Sequence, residues 1–160
     1  MNQKVSVINN KDFSLLMAEV LKKGKAFRFQ ASGASMSPFI KNGDVLTLVA
    51  GNHRRIRIGD VVAFHHPHTG NLIIHRIVKL SVKTFLLKPD NGLRVDGWIS
   101  RQAIIGIVQS VERGERPHNL GLGREKWLIA YLSRWNLLSQ TIGIFWRILP
   151  NRVKQRIKRH

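Results

Sequence analysis

Hydrophobic positions recur with different periods along the chain, and the first period is that of a helix. In residues 12–23 apolar side chains are spaced three and four positions apart, which predicts a short amphipathic helix. One face of that helix carries Phe13, Leu16, Met17 and Val20. Gly24 is placed to end it. We therefore expect an N-terminal amphipathic helix within residues 1–24.

Between residues 25 and 116 the helical period gives way to short runs rich in β-branched and aromatic residues. The runs are AFRFQA, VLTLVA, VVAFHH, LIIHRIVKL, TFLLK and AIIGIVQSV, separated by Gly, Pro, Asn and Asp clusters. We interpret the two Gly-Asp pairs, Gly43-Asp44 and Gly59-Asp60, as turns that start strands, and HTGN at 68–71 as a hairpin connection. This segment is predicted to be one small, mainly β domain.

From residue 117 onward the helical period returns, now with a strong positive charge. Residues 126–160 contain eight Lys or Arg and no acidic residue. Apolar side chains follow at helical spacing: Trp127, Tyr131, Trp135, Leu138, Ile142, Phe145 and Leu149. The pattern predicts a basic helical C-terminal appendage at residues 117–160. Two interpretations stay open, a helix packed on the β domain and an anchor lying in the plane of a membrane.

Charge and composition narrow the classes of partner. Lys and Arg number 27 against 9 Asp and Glu, a net charge of +18. This excess favours an anionic partner, either nucleic acid or an anionic membrane surface at residues 124–160. The chain has no cysteine, which excludes disulfides, thiolate metal sites and a cysteine nucleophile.

The apolar runs also bear on where in the cell the protein is expected to lie. The first dozen residues are polar, unlike a signal peptide, and no uninterrupted apolar run reaches the length of about 18 residues that spans a bilayer. The segment 127–149 contains Arg134 and Arg147, which are costly at membrane depth. We expect a cytoplasmic protein or one peripheral to the cytoplasmic face of the membrane.

Candidate chemistry lies in three residues of the β segment: Ser35 before Met36, His75 within an apolar run, and Asp96 in a later loop. A serine nucleophile needs a base, and a histidine base needs a third group to fix its tautomer. The HHPH run at 65–68 is interpreted as a solvated loop, since adjacent strand residues point in opposite directions. No metal or cofactor is predicted.

The motifs SGASMSPFIKNGD, IGDVVAFHHP, HRIV, FLLKPDNGLRVD and IIGIV occur in an order that resembles signal peptidase I and the LexA-like serine peptidases. The resemblance covers roughly residues 25–112. It implies Ser35 as nucleophile. The HRIV motif resembles the endoplasmic-reticulum and archaeal type, in which histidine replaces the lysine base, and so implies His75 as base. KPDNGLRVD is similar to the acid motif of that type, with Asp96 as the orienting acid and Asp90 as a second-rank candidate.

Two departures from that family pattern bear on the site. Pro89 replaces a family Gly, and one extra residue separates Ser32 from Ser35, as in the LexA-like branch. The implied oxyanion donors are the backbone N–H of Ser35 and a contribution from Ser32. Met36 is expected to fill the core beneath the serine turn.

The resemblance implies a serine endopeptidase that cleaves a precursor peptide or protein. A base must be neutral to accept a proton, so activity should fall in acid. The alternative is a regulatory or catalytically silent peptidase-like module that binds nucleic acid or an anionic membrane. A helix-turn-helix would favour nucleic acid, but a single helix precedes the predicted β domain.

Overall fold

The computed structural model describes residues 10–51, 56–67 and 69–137. Helix α1 spans Asn10–Lys22 and helix α2 spans Lys126–Arg134. The strands between them are β1 Phe27–Gln30, β2 Val45–Ala50, β3 Val61–His65, β4 Leu72–Leu80, β5 Thr84–Lys88, β6 Gly97–Ser100, β7 Ile104–Arg113 and β8 Arg116–Pro117. A short 3-10 turn, Arg101–Ala103, joins β6 to β7. The predicted fold class, a small mainly β domain with a helix at each end, is confirmed.

The described strands form one antiparallel sheet in the order β1-β2-β7-β3-β4-β5-β6, with β8 paired to β7. The register shifts in three of the strand pairs, at Thr47/Leu48, Ala63/Phe64 and Ile77/Lys79. Such irregularities increase local twist and bend a sheet. The sheet can therefore cover two separate cores.

Strand β3 lies between those two cores, which explains why its VVAF run is apolar without alternation. Val61 and Ala63 enter one core, while Val62 and Phe64 enter the other. The first core also receives Met36, which is buried as predicted. A strand buried on both faces is expected to read as a continuous hydrophobic run.

Helix α1 packs on the first core through Phe13 and Met17 of the predicted face, together with Leu21, which the prediction left out. Met17 and Leu21 are fully buried, whereas Leu16 is 49% exposed, so the prediction that Leu16 belongs to the buried face is wrong. The partner surface decides the rotation of the helix. A Cβ at Gly106 of β7 would lie 2.8 Å from Leu21 Cδ1, so Leu21 packs where only a glycine leaves room.

Both Gly-Asp pairs form turns that start strands, as predicted. Gly43 and Gly59 have positive φ angles of 88° and 90°, a backbone conformation that favours glycine. The carboxylate of Asp44 accepts the Lys41 N–H at 2.8 Å, and Asp60 accepts the Arg57 N–H at 2.9 Å. The two turns thus share one capping geometry.

Helix α2 packs against the sheet through one face, with Ile129, Ala130 and Ser133 buried. Its first residue, Lys126, passes over Gly59, where a Cβ would lie 2.6 Å from the Lys126 carbonyl carbon. Within the described ranges no helix is both long and apolar enough to cross a membrane. The predicted apolar stripe from Leu138 to Leu149 lies outside the described residues.

Candidate active site

The serine turn connects β1 to β2 and exposes Ser35 to solvent while Met36 is buried beneath it. Gly33 has a φ of 99°, and its N–H donates to Asn42 Oδ1 at 3.0 Å. The Ser37 N–H closes the turn by donating to the Ala34 carbonyl at 3.1 Å. The small residues of SGAS thus let the backbone bend and present the Ser35 hydroxyl outward.

A second loop, the one after β5, is bonded directly to this serine turn. The Asn91 N–H donates to the Ser35 carbonyl at 2.8 Å. The Asn91 side-chain amide donates to the Ala34 carbonyl at 3.2 Å. Because this loop also carries Asp90 and Asp96, the two Asn91 bonds fix the serine relative to the acids.

His75 is buried on β4 and is paired with Asp96. Its Nδ1 lies 2.7 Å from Asp96 Oδ2, and the Asp96 N–H donates to the Leu87 carbonyl at 2.9 Å. A carboxylate on Nδ1 favours the tautomer that carries its proton there. Nε2 then holds a lone pair and is able to accept a proton.

The cavity next to this pair has a volume of about 550 Å³ and is lined by both serine-turn residues, Ser32 and Ser35, and by His75. The rest of its lining is mostly apolar: Phe13, Phe29, Ala31, Met36, Ile40, Leu46, Leu72, Ile73 and Ile74. The structure therefore brings Ser35, His75 and Asp96 to one site. Ser32 lies at the rim of the same cavity.

Asp90 does not face His75, because it is paired with the next residue of β4. Arg76 Nε and Nη2 donate to the two Asp90 oxygens at 2.8 and 2.7 Å, and both side chains are inaccessible to solvent. Successive residues of a strand point to opposite faces, so His75 and Arg76 separate the two carboxylates. In this geometry Asp90 serves as the counter-charge of the buried Arg76.

Arg76 also donates to two backbone carbonyls, one in the turn before β3 and one in the segment before α2. Its Nη1 donates to the Gly59 carbonyl at 2.8 Å and to the Gly121 carbonyl at 2.7 Å. The guanidinium also lies 5.4 Å from the centre of the Phe39 ring. A buried arginine with every face occupied is stabilising only while all of these partners stay in place.

Lys88, at the end of β5, is a second buried cation behind the site. Its Nζ donates to the carbonyls of Pro89 and Gly92 and, at 3.4 Å, to Ser133 Oγ of α2. Burial lowers the pKa of Lys88, while the charges of Asp90 and Asp96 oppose that shift. Pro89, the departure from the family pattern, packs against Gly92, where a Cβ would lie 2.5 Å from Pro89 Cγ.

The sequence motifs gave little indication of the residues that hold this site in place. Lys88 and Asn91 fit the acid motif in sequence, but the bond of Lys88 to Ser133 and those of Asn91 to the serine turn are long-range contacts. Arg76 is the second residue of the HRIV motif, and only its position beside His75 pointed to a role in the site. In the described part of the chain no group of three or more metal-ligating side chains converges.

A small antiparallel β domain with these motifs places the chain in the class of LexA-like and signal-peptidase-like serine peptidases. A family model described as Peptidase S24-like matches residues 3–108, well over half of the chain, and the chain belongs to that family. A search among curated proteins found no match. The family match ends at Val108, so α2 and the loop before it lie outside it.

Proposed function

We propose that this family member is a serine endopeptidase that cleaves a precursor peptide or protein. The supporting observation is the pairing of His75 with Asp96 at a cavity that Ser35 also lines. A buried acid–imidazole pair facing a serine is the arrangement that activates a hydroxyl for attack on a carbonyl.

In the proposed reaction, Ser35 Oγ forms a bond to the carbonyl carbon of the scissile peptide while His75 Nε2 takes the hydroxyl proton. The Asp96 carboxylate stabilises the resulting imidazolium. The C–N bond then breaks as His75 returns the proton to the leaving amine. Water, deprotonated by His75, hydrolyses the acyl-enzyme. The Ser35 N–H, with Ser32 beside it, is the proposed donor to the oxyanion.

The lining of the cavity indicates the kind of substrate. It is largely apolar, and its polar groups are concentrated at the serines, Gln30 and His75. A substrate segment with apolar side chains beside the cleaved bond would remove the most hydrophobic surface from water. We therefore propose a precursor whose cleavage site is flanked by apolar residues.

The test is co-expression of the full chain with a panel of precursor proteins, followed by mass spectrometry of new N-termini. Ser35→Ala and His75→Ala are the inactivating variants. Ser37→Ala is the matched control, because Ser37 is a hydroxyl in the same turn that does not line the cavity. New termini should vanish with the first two variants and persist with the control. Identical termini from wild type and Ser35→Ala would contradict the proposal and favour a catalytically silent module.

A further inference from the structure

Helix α2 has one face packed on the β domain and an opposite face that is apolar and exposed. The exposed face carries Trp127, Leu128, Tyr131 and Trp135, and its three aromatic residues are 61%, 57% and 58% exposed. We call these four residues the aromatic face. Contiguous exposed apolar groups on this scale are unusual unless something binds them.

The orientation of the aromatic face is fixed by bonds on the buried side of the helix. Lys126 Nζ donates to Asp60 Oδ1 at 2.5 Å, and Ser133 Oγ lies 3.4 Å from Lys88 Nζ. The close passage over Gly59 leaves the first turn of α2 no room to rotate. The helix is therefore held with these four side chains pointing away from the domain.

The charges around the aromatic face are positive. Arg124, just before α2, and Arg134, at its end, are both exposed, and the Arg134 guanidinium lies 5.7 Å from the Trp135 ring centre. Glu125, the acid that immediately precedes α2 in sequence, accepts the Gly121 and Gly123 N–H groups. From residue 126 to the C terminus the sequence has no acidic residue at all.

A partner for this surface must offer an apolar layer with negative charge at its edge. We propose that the aromatic face docks in the plane of an anionic lipid surface, with Trp and Tyr at the level of the headgroups and the arginines on lipid phosphates. A folded protein partner would need a matching acidic rim, whereas an anionic bilayer supplies both features everywhere. Nucleic acid would match the charge but offers no apolar layer beneath it.

Docking in this way would bring the candidate active site close to the membrane. The Gly92 carbonyl and Ser133 Oγ share Lys88 Nζ, so the loop that carries Asp96 lies beside α2. That loop exposes Leu93 and Val95. The docking itself does not depend on peptidase activity.

The experiment is co-sedimentation of the full chain with vesicles of phosphatidylcholine alone or with about a third phosphatidylglycerol. The variant W127S/W135S removes both exposed indoles of the aromatic face. Trp98→Ser is the matched control, because Trp98 is a 47% exposed indole that belongs to β6 and not to the aromatic face. We expect wild type to prefer the anionic vesicles, and W127S/W135S to bind them at least about tenfold more weakly. Trp98→Ser and Ser35→Ala should bind like wild type.

Several outcomes would overturn the proposal. Equal binding of W127S/W135S and wild type would assign any attraction to the basic C terminus alone. Equal binding to neutral and anionic vesicles would remove the role of charge. A dimer that W127S/W135S dissociates would assign the aromatic face to a second copy of the chain. Loss of vesicle binding on addition of DNA, with W127S/W135S binding DNA about tenfold more weakly, would assign it to nucleic acid.

Discussion

At the scale of single residues, two neighbours on β4 bind two aspartates on opposite faces of the strand. His75 faces the cavity and holds Asp96, whereas Arg76 faces the C-terminal segment and holds Asp90. Because successive residues of a strand point to opposite faces, His75 and Arg76 necessarily face different surroundings. Substitution of the two aspartates should therefore have different effects, one on turnover and the other on the stability of the fold.

Asp96→Asn should reduce turnover and leave the fold nearly intact. An amide cannot stabilise the imidazolium and permits the wrong tautomer of His75, so we expect a loss in kcat on the order of 10²–10⁴. Turnover of a cleaved precursor, measured beside urea unfolding of the same variant, checks this. Unchanged kcat would remove Asp96 from the proposed machinery.

Asp90→Asn should destabilise the fold, because it leaves the fully buried Arg76 guanidinium without a counter-charge. Removing one partner of a buried ion pair costs about 3–5 kcal/mol in the free energy of unfolding. The double variant Asp90→Asn with Arg76→Met should recover part of that loss. Unfolding in urea measures both, and a single variant as stable as wild type would contradict the structural place given to Asp90.

Asp44 should make stability depend on pH in the acid range. Burial would raise the pKa of Asp44, but hydrogen bonds from Arg113 and the Lys41 N–H outweigh it and lower the pKa below its ordinary value of 3.8. A carboxyl whose pKa is lower in the folded chain stabilises the fold above that ordinary value. The contribution is lost as pH falls through the folded pKa. Urea unfolding from neutral to acid pH should show Asp44→Asn less stable near neutrality and equal to wild type in strong acid.

At the scale of elements, helix α1 belongs to the candidate site as well as to the core. Phe13 lines the cavity, and its ring packs edge-on against Phe27 and Phe29 at centroid distances of 5.6 and 5.7 Å. The helix therefore forms one wall of the space in which a substrate side chain would lie.

Phe13→Ala should change which precursors are cleaved, by admitting larger apolar side chains. A pocket that gains or loses a few methylene equivalents shifts preference by about tenfold or more. Leu16→Ala is the matched control, since Leu16 lies on the same helix but points to solvent. The cleavage-site profiles of the two variants test this prediction. An equal shift in both variants would show that Phe13 does not select the substrate.

The elements most readily predicted from sequence were the strands that coincide with an apolar run between turn residues. LIIHRIVKL and TFLLK coincide with β4 and β5. Strands β6 and β8 were missed, and β8 has only two positions, too few to show alternation. The exposed Leu16 was mispredicted because helical spacing alone does not decide which of two neighbouring helix faces is buried. Gly106 on β7, 90 positions away, selects the face.

At the scale of the whole molecule, the segment beyond the family match completes the β domain. Gly121 and Ser133 accept bonds from the buried cations Arg76 and Lys88, and Lys126 pairs with Asp60. No local pattern in the sequence could show these contacts, because each joins residues at least 45 positions apart. The motifs suggested the candidate trio of Ser35, His75 and Asp96, but not what holds it in place.

Truncation after residue 118 should therefore destabilise the β domain, although it leaves every strand and all of the family match. Two buried cations would lose partners, at about 1.5–3 kcal/mol for each charged hydrogen bond. Truncation after residue 137 is the control, since it keeps α2. Thermal unfolding of the two products should differ by several kcal/mol. Equal stability would show that the C-terminal segment is an independent attachment.

The two Gly-Asp turns also bear on how the chain acquires its fold during synthesis. Each turn carboxylate is neutralised by a cation far downstream, 69 positions away for Asp44 and Arg113 and 66 for Asp60 and Lys126. A ribosome releases the chain from its N-terminus, and domains generally fold as units. Both aspartates, and every strand through β6, are synthesised before either counter-ion has been added. The complete set of native ion pairs therefore cannot form until Lys126 has been added, and a chain stalled before that point lacks it.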